Sequence, residues 1–288
     1  MQKGDILKKT LKQSLVLIKD KLPDLLSTVG DMALKRRAKR IIEGLELKKG
    51  DKILEIGCGN GYYLNLLNKL DLGFELWGID CDKVALKDAK KFIGDNSVKL
   101  ILGDGGKLPF KNSSFNRVIM SEVIEHVEDE RRVLSEAFRV IKPKGVFILT
   151  TCNINYPFFW DPVNFILQHF FNTHIEKGFW AGIWNQHIRL YKINDLEKLV
   201  INSKFKIETL EYLTRWCIPF NHYIVNFIAR LFYQGSLPSS LSKGMNKFKK
   251  EEGSTLIKSA FWLVNTYDHL NDIYPGHNGV SIFIKARR

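Results

Sequence analysis

Short apolar runs recur through the first half of the chain, each closed by a polar or glycine-rich turn. They are Lys52–Ile56, Glu75–Asp80, Val98–Leu102, Phe115–Met120 and Val146–Thr151. A continuous apolar run of this length predicts a strand buried on both faces, as in a parallel sheet covered by helices. The run Glu130–Ile141 keeps helical spacing and stops at Lys142-Pro-Lys-Gly145, since proline and glycine do not continue a helix. Further on, Asn194–Val200 predicts a helix with Asn194 or Asp195 as its cap, and Phe205–Tyr212 and Gly279–Lys285 alternate as a sixth and seventh strand. The pattern is that of an α/β fold.

The first strand runs into Gly57, Gly59 and Gly61, in Lys52-Ile-Leu-Glu-Ile-Gly-Cys-Gly-Asn-Gly-Tyr62. Glycines there let the backbone turn sharply and come close to a ligand that a Cβ would push away. The spacing is not the Gly-x-Gly-x-x-Gly of a dinucleotide turn. The second strand ends in Asp80, where an acid can accept ribose hydroxyl protons. The third enters Gly103-Asp-Gly-Gly-Lys-Leu-Pro-Phe110, and the fourth leads to Ser121-Glu-Val-Ile-Glu-His-Val127.

In this order the four segments resemble the motifs of class I S-adenosylmethionine (SAM)-dependent methyltransferases, closest in pattern to the small-molecule and quinone group. The resemblance covers residues 31–212 and the last strand. It implies a Rossmann-like, mostly parallel seven-stranded sheet with an antiparallel last strand, helices on both faces and helical insertions. It implies methyl transfer from SAM, with S-adenosylhomocysteine as the product. By the same likeness Glu55, Gly57, Cys58, Gly59, Gly61, Asp80, Cys81, Asp104, Gly105, Ser121 and Glu122 would bind cofactor: Asp80 the ribose, Asp104 the adenine edge, Glu55 the amino-acid end. Cys58 and Cys81 read as small space-fillers.

Glu122, Glu125 and His126 follow the spacing i, i+3, i+4, which on a helix would turn all three to one side. The sequence is similar to the Glu-x-x-Glu-His of ubiquinone-pathway O-methyltransferases and small-RNA 2′-O-methyltransferases, in which a later histidine joins. His187 is the candidate here. That likeness implies Glu122, Glu125, His126 and His187 as candidate ligands of a divalent cation such as Mg²⁺, with His126 or His187 alternatively a base.

Length and composition fit one domain, residues 1–288, with a basic helical cap (1–45), a SAM-binding half (46–151) and two insertions (152–190 and 213–277). The net charge of +13 concentrates in residues 1–40, with eleven Lys/Arg against four Asp/Glu. There Leu7, Leu11, Leu15, Ile18 and Leu22 keep helical spacing among lysines. Such a helix either packs on the domain or lies on an anionic surface. The scattered Cys58, Cys81, Cys152 and Cys217 predict reduced thiols and a cytoplasmic protein, and no start resembling a signal peptide is present.

Both insertions are aromatic, for example Phe158-Phe159-Trp160 and Trp216 to Tyr233, and polar residues interrupt every run long enough to span a bilayer. They suit an apolar, lipid- or quinone-like acceptor or peripheral contact with a membrane. An RNA 2′-O-methyltransferase and a non-catalytic SAM-binding protein are the alternatives. Nucleic acid is disfavoured because the aromatics cluster with aliphatics instead of interleaving with Arg and Lys. The acceptor and the oligomeric state are not legible.

Overall fold

The computed structural model describes residues 16–27, 29–94, 97–217, 220, 223, 266–273 and 276–288. Its strands are β1 (Lys52–Ile56), β2 (Glu75–Asp80), β3 (Val98–Leu102), β4 (Phe115–Ser121), β5 (Ile141–Cys152), β6 (Lys206–Leu213) and β7 (Ser281–Arg287). They form one sheet in the order β3-β2-β1-β4-β5-β7-β6. The pairs among β1–β5 are parallel, and β7 lies antiparallel between β5 and β6. The helices are α1 (16–26), α2 (Met32–Gly44), α3 (Tyr62–Leu70), α4 (Lys83–Ile93), α5 (Glu130–Val140), α6 (Pro162–Phe171), α7 (Ile193–Asn202) and the short α8 (Leu270–Ile273).

Side chains alternate across each strand, so neighbouring residues enter opposite cores. Ile53, Ile119, Ile148 and Phe283 pack with α1, α2 and α3. Leu54, Val118, Phe147 and Ile282 pack with α5 and α7. This double burial is why the strands read as unbroken apolar runs. β1 pairs with β2 on one side and β4 on the other, so successive strands fill the sheet first in one direction and then in the other. Their carboxyl ends part at that reversal and leave a crevice there.

β5 starts at Ile141 and takes in Lys142–Gly145, where the pattern predicts the end of a helix and a turn, while the other strands fall where the apolar pattern predicts to within two residues. One cap does not: α7 starts at Ile193, and its N-cap is Lys192 without a side-chain bond, so neither Asn194 nor Asp195 caps it. Of the basic amphipathic stripe, Ile18 and Leu22 are buried in the first core together with Leu26. The packed alternative therefore holds for these two, while Leu7, Leu11 and Leu15 lie outside the described residues.

The 152–190 insertion forms α6 and a 3₁₀ turn at Phe179–Trp184. It has its own small core of Cys152, Tyr156, Trp160, Ile183 and Trp184, joined by Cys217. Most of the 213–277 insertion lies outside the described residues. Its Tyr223 packs on Trp180, with ring centroids 5.2 Å apart. Among the described residues no helix is long and apolar enough to cross a membrane.

Phe283, fully buried on β7, sits against α2 so closely that a Cβ on Gly44 would lie 2.9 Å from its ring. Truncating it would empty a site with little room to collapse. Phe283→Ala should cost about 3–5 kcal/mol, read as a lower urea midpoint with an unchanged slope.

Candidate cofactor and acceptor site

The turn after β1 is shaped by what its glycines lack. Gly57 and Gly61 have φ of 69° and 75°, in the left-handed region. A Cβ on Gly57 would lie 2.3 Å from Val123 Cγ2, and one on Gly61 3.0 Å from Ile93 Cδ1. Gly59 differs, because a Cβ there would meet nothing within 4 Å. Two of the glycines thus allow the turn to pack, and the third borders open space.

Asp80, at the end of β2, is bound into the same turn. Its Oδ2 accepts the Gly59 N–H at 2.7 Å and its Oδ1 the Asp82 N–H at 2.8 Å. Asp104 is exposed after β3, and its Oδ1 accepts the Gly106 N–H at 2.8 Å. Gly105 is tightly placed, since a Cβ would lie 3.1 Å from Ile56 Cγ2. Cys58 is buried in the first core and does fill space. Cys81 does not, because its side chain is exposed beyond the end of β2. All four cysteines are free thiols.

Glu55 is a buried carboxyl whose Oε2 finds no hydrogen-bond donor among the described residues. Burial pushes its pKa well above the usual value, the Leu64 backbone N–H opposes this, and the charge of Asp80 adds to it. A cationic ligand group beside Asp80 would reverse that balance. The orphaned oxygen, the open side of Gly59 and two acids at adjacent strand ends fit the ammonium, ribose and adenine of SAM.

The segment Glu122–His126 departs from the helix its spacing predicts. The chain bends at Glu122, which has φ of 55°, and turns through Ile124, Glu125 and His126. The three polar side chains consequently diverge. Glu122 is drawn to Arg37 of α2, with Nη1 to Oε2 at 2.9 Å, and also accepts the Thr150 hydroxyl at 3.1 Å and the Cys152 thiol at 3.3 Å. Arg37 also donates to the Tyr63 hydroxyl at 3.0 Å, and Ser121 Oγ bridges Tyr63 to Thr150. Burial disfavours the Arg37 charge, but the Glu122 carboxylate and the Tyr63 hydroxyl outweigh it and keep the guanidinium protonated.

Glu125 points inward and is fully buried, with Oε2 accepting the Thr151 hydroxyl at 2.8 Å. Burial first, and then the charge of Glu122, push its pKa up to about 8. His187 Nε2 stands 4.0 Å from Glu125 Oε1. His126 points to solvent with Nδ1 on the Gln186 carbonyl at 2.9 Å, and its ring meets that of His187 edge-on at 4.7 Å.

The four residues implied as ligands of a hard divalent cation therefore do not converge. Glu122 is neutralised by a guanidinium, and the His126 nitrogen facing the protein is already bonded. The structure does bring Glu125 and His187 together, and it adds Cys152. Sequence reasoning missed Arg37, Tyr63, Thr150 and Cys152. None belongs to a contiguous motif, and Arg37 reads as one more cation of a basic helix.

The 152–190 insertion is tied down by Asp161, a buried N-cap of α6. It accepts N–H groups of Asn164 and Ile183, each at 3.0 Å, and the Tyr223 hydroxyl. Gly182 is required here, because a Cβ would fall 1.8 Å from Asp161 Oδ2. Just beyond, the His187 N–H bonds the Trp184 carbonyl at 3.2 Å. The Asp161 node thus sets the path of the chain into His187.

A family profile described as a methyltransferase domain matches residues 54–149. An uncharacterized protein of Methanocaldococcus jannaschii is 30% identical over 187 residues, which cover 63% of this chain and 68% of that protein. The demethylmenaquinone methyltransferase of Thermotoga maritima is 32% identical over 111 residues, 38% of this chain; the match spans about half of that enzyme, 48%. Among solved structures, that of a Bacillus halodurans protein titled a putative methyltransferase superposes with a TM-score of 0.53 at 20% identity, covering 87% of this chain and 97% of that one. At that identity the superposition speaks for the fold.

A raised carboxyl pKa gives stability a definite sign. Between the ordinary carboxyl value of 4.5 and its folded value, Glu55 stays protonated in the native state and ionises in the unfolded chain. Its contribution should then fall by about 1.4 kcal/mol per pH unit as pH rises through that window. Glu55→Gln should flatten the slope of unfolding free energy above pH 4.5; an unchanged slope would refute the assignment.

Proposed function

The chain belongs to the class I SAM-dependent methyltransferases, and from that premise we propose that it transfers the methyl group of SAM to an oxygen of a small apolar acceptor, lipid- or quinone-like. When bound, SAM supplies an electrophilic methyl on a sulfonium that leaves readily. Little covalent help is then needed, and alignment of the two reactants supplies much of the acceleration.

In this reading Gly59 leaves room for the cofactor, and the second lone pairs of the Asp80 oxygens receive the ribose hydroxyls. Asp104 meets the adenine edge. The orphaned Glu55 Oε2 accepts from the ammonium of the amino-acid end. Ser121 and Glu122 line the place where methyl and acceptor meet, their side chains held by the Arg37 and Thr150 bonds.

The observation that carries the acceptor class is the wall beyond β5. Tyr156, Trp160 and Trp184 are buried against Cys152 at the strand's end, while Phe158, Phe159 and Trp180 remain exposed beside them. A wall of this kind favours an apolar molecule over a phosphate backbone. The name of the Thermotoga maritima relative, a demethylmenaquinone methyltransferase, supports the same class.

His126 is the base we assign for an oxygen acceptor. With Nδ1–H donating to the Gln186 carbonyl, the neutral ring presents Nε2 as the acceptor of a proton. Its exposed edge can return that proton to water.

The test incubates the protein with methyl-tritiated SAM and host-cell extract, followed by partition into organic and aqueous phases. Label in the organic phase is expected. Label confined to nuclease-sensitive aqueous material would replace the apolar acceptor with RNA. Binding of SAM without transfer to any fraction would leave a SAM-binding protein. With an accepted substrate in hand, His126→Ala should lower kcat by about 10²–10⁴ with little change in SAM affinity; a kcat within a factor of about three would assign the base elsewhere.

A further inference from the structure

The side chains brought together at the end of β5 form a donor set unlike the one their sequence spacing implies. A carboxylate oxygen of Glu125, the thiol of Cys152 and an imidazole nitrogen of His187 all lie within 4.8 Å of one another. We propose that these three residues bind a thiophilic divalent ion, Zn²⁺ in the first instance.

Two observations point to a ligand here. The first is the mixed chemistry of the cluster: one sulfur, one nitrogen and one oxygen are donors that suit Zn²⁺ and do not suit Mg²⁺, which takes oxygen. The second is the state of Glu125. Its side chain is fully buried, and Oε1 finds no hydrogen-bond donor among the described residues although Oε2 is held by Thr151. A buried carboxyl oxygen left without a partner is costly, and an ion bound there in place of the proton removes the cost.

The distances require a small adjustment. Ligand atoms around tetrahedral Zn²⁺ stand roughly 3.4–3.6 Å apart. The present spread, bounded by 4.8 Å, closes to that by about one ångström of side-chain motion. Binding replaces the protons of the Cys152 thiol and of the Glu125 carboxyl with the metal and releases both to solvent. Three protein ligands leave a fourth position for water or an acceptor atom, the coordination of a catalytic rather than a structural zinc site. Glu122 stays outside the set because Arg37 neutralises it, and this separates the site from a carboxylate-rich magnesium centre.

The inference concerns these residues alone and does not rest on the identity of the acceptor. The purified full chain is stripped with a chelator, passed through gel filtration, and titrated separately with Zn²⁺ and Mg²⁺, with metal content read by elemental analysis. One tightly held Zn²⁺ per chain and no retained Mg²⁺ are expected. Cys152→Ala and His187→Ala should each weaken Zn²⁺ binding by about tenfold or more, whereas Cys217→Ala should not.

Because a variant at a buried residue can fail to fold, Co²⁺ is added to the unmutated chain as a second readout. A thiolate-to-metal absorption band is expected, and its absence would overturn the assignment of Cys152. Equal retention of Zn²⁺ by all three variants, or retention of Mg²⁺ in its place, would overturn the site. SAM binding is measured on the same samples. Loss of Zn²⁺ binding with SAM binding intact bears on the metal site alone, and loss of SAM binding alone bears on the methyl-transfer reading.

Discussion

The pairing of Arg37 with Glu122 is the contact on which the order of the site depends. The guanidinium comes from α2, the carboxylate from the end of β4, the Tyr63 hydroxyl that Arg37 also bonds from the first turn of α3, and the Cys152 thiol that Glu122 also holds from the end of β5. Four elements separated in sequence are joined at one largely buried charge pair. Removing either partner leaves the other charge inside the protein, which costs far more than a surface ion pair contributes. The pair also decides what Glu122 can do. A carboxylate already committed to a guanidinium is a poor ligand for a second cation, and its negative charge raises the proton affinity of Glu125 close by.

Around this contact the sheet divides its labour. β1, β2 and β3 present Glu55, Asp80 and Asp104 at or just past their carboxyl ends, where the Gly59 and Gly106 N–H groups bond Asp80 and Asp104. β4 and β5 bring Ser121 onto Thr150 and Thr151 onto Glu125 beside them. The reversal of strand order between β1 and β4 opens the crevice that both groups share, so one molecule lying along the strand ends would meet the acids and the Glu122 region in turn.

Much of this was legible in the sequence because it is local. A strand buried on both faces must be apolar at every position, and a turn that presses its backbone against Val123 or Ala89 must be glycine. The three acids end strands, so they are found as soon as the strands are. The acceptor side was less legible for the opposite reason. Spacing of i, i+3, i+4 predicts convergence only on a helix, and Glu122 instead adopts a left-handed backbone that sends Glu125 inward and His126 out. Cys152 meets Glu125 and His187 only after β5 has paired with β4 and the 152–190 insertion has turned back. Arg37 is the clearest case: a helix rich in lysine and arginine gives no sign which one cation the interior needs. Cys81 was misread because adjacency to a buried strand end does not make a side chain buried.

The position of β7 has a consequence for how the molecule comes into being. This strand is the last in the sequence, yet it lies between β5 and β6 and supplies all the ladder bonds that join them. During synthesis β1 to β5 emerge early and can pair with their neighbours at once. β6 must wait for some 65 further residues before its own partner appears. A nascent chain thus passes through a stage in which β1 to β5 are assembled and the edge of β5 is bare. Such an edge is open to pairing with another chain. The apolar character of β7, suited to a place inside the sheet, also makes its prompt arrival the step that guards the young protein against misassembly.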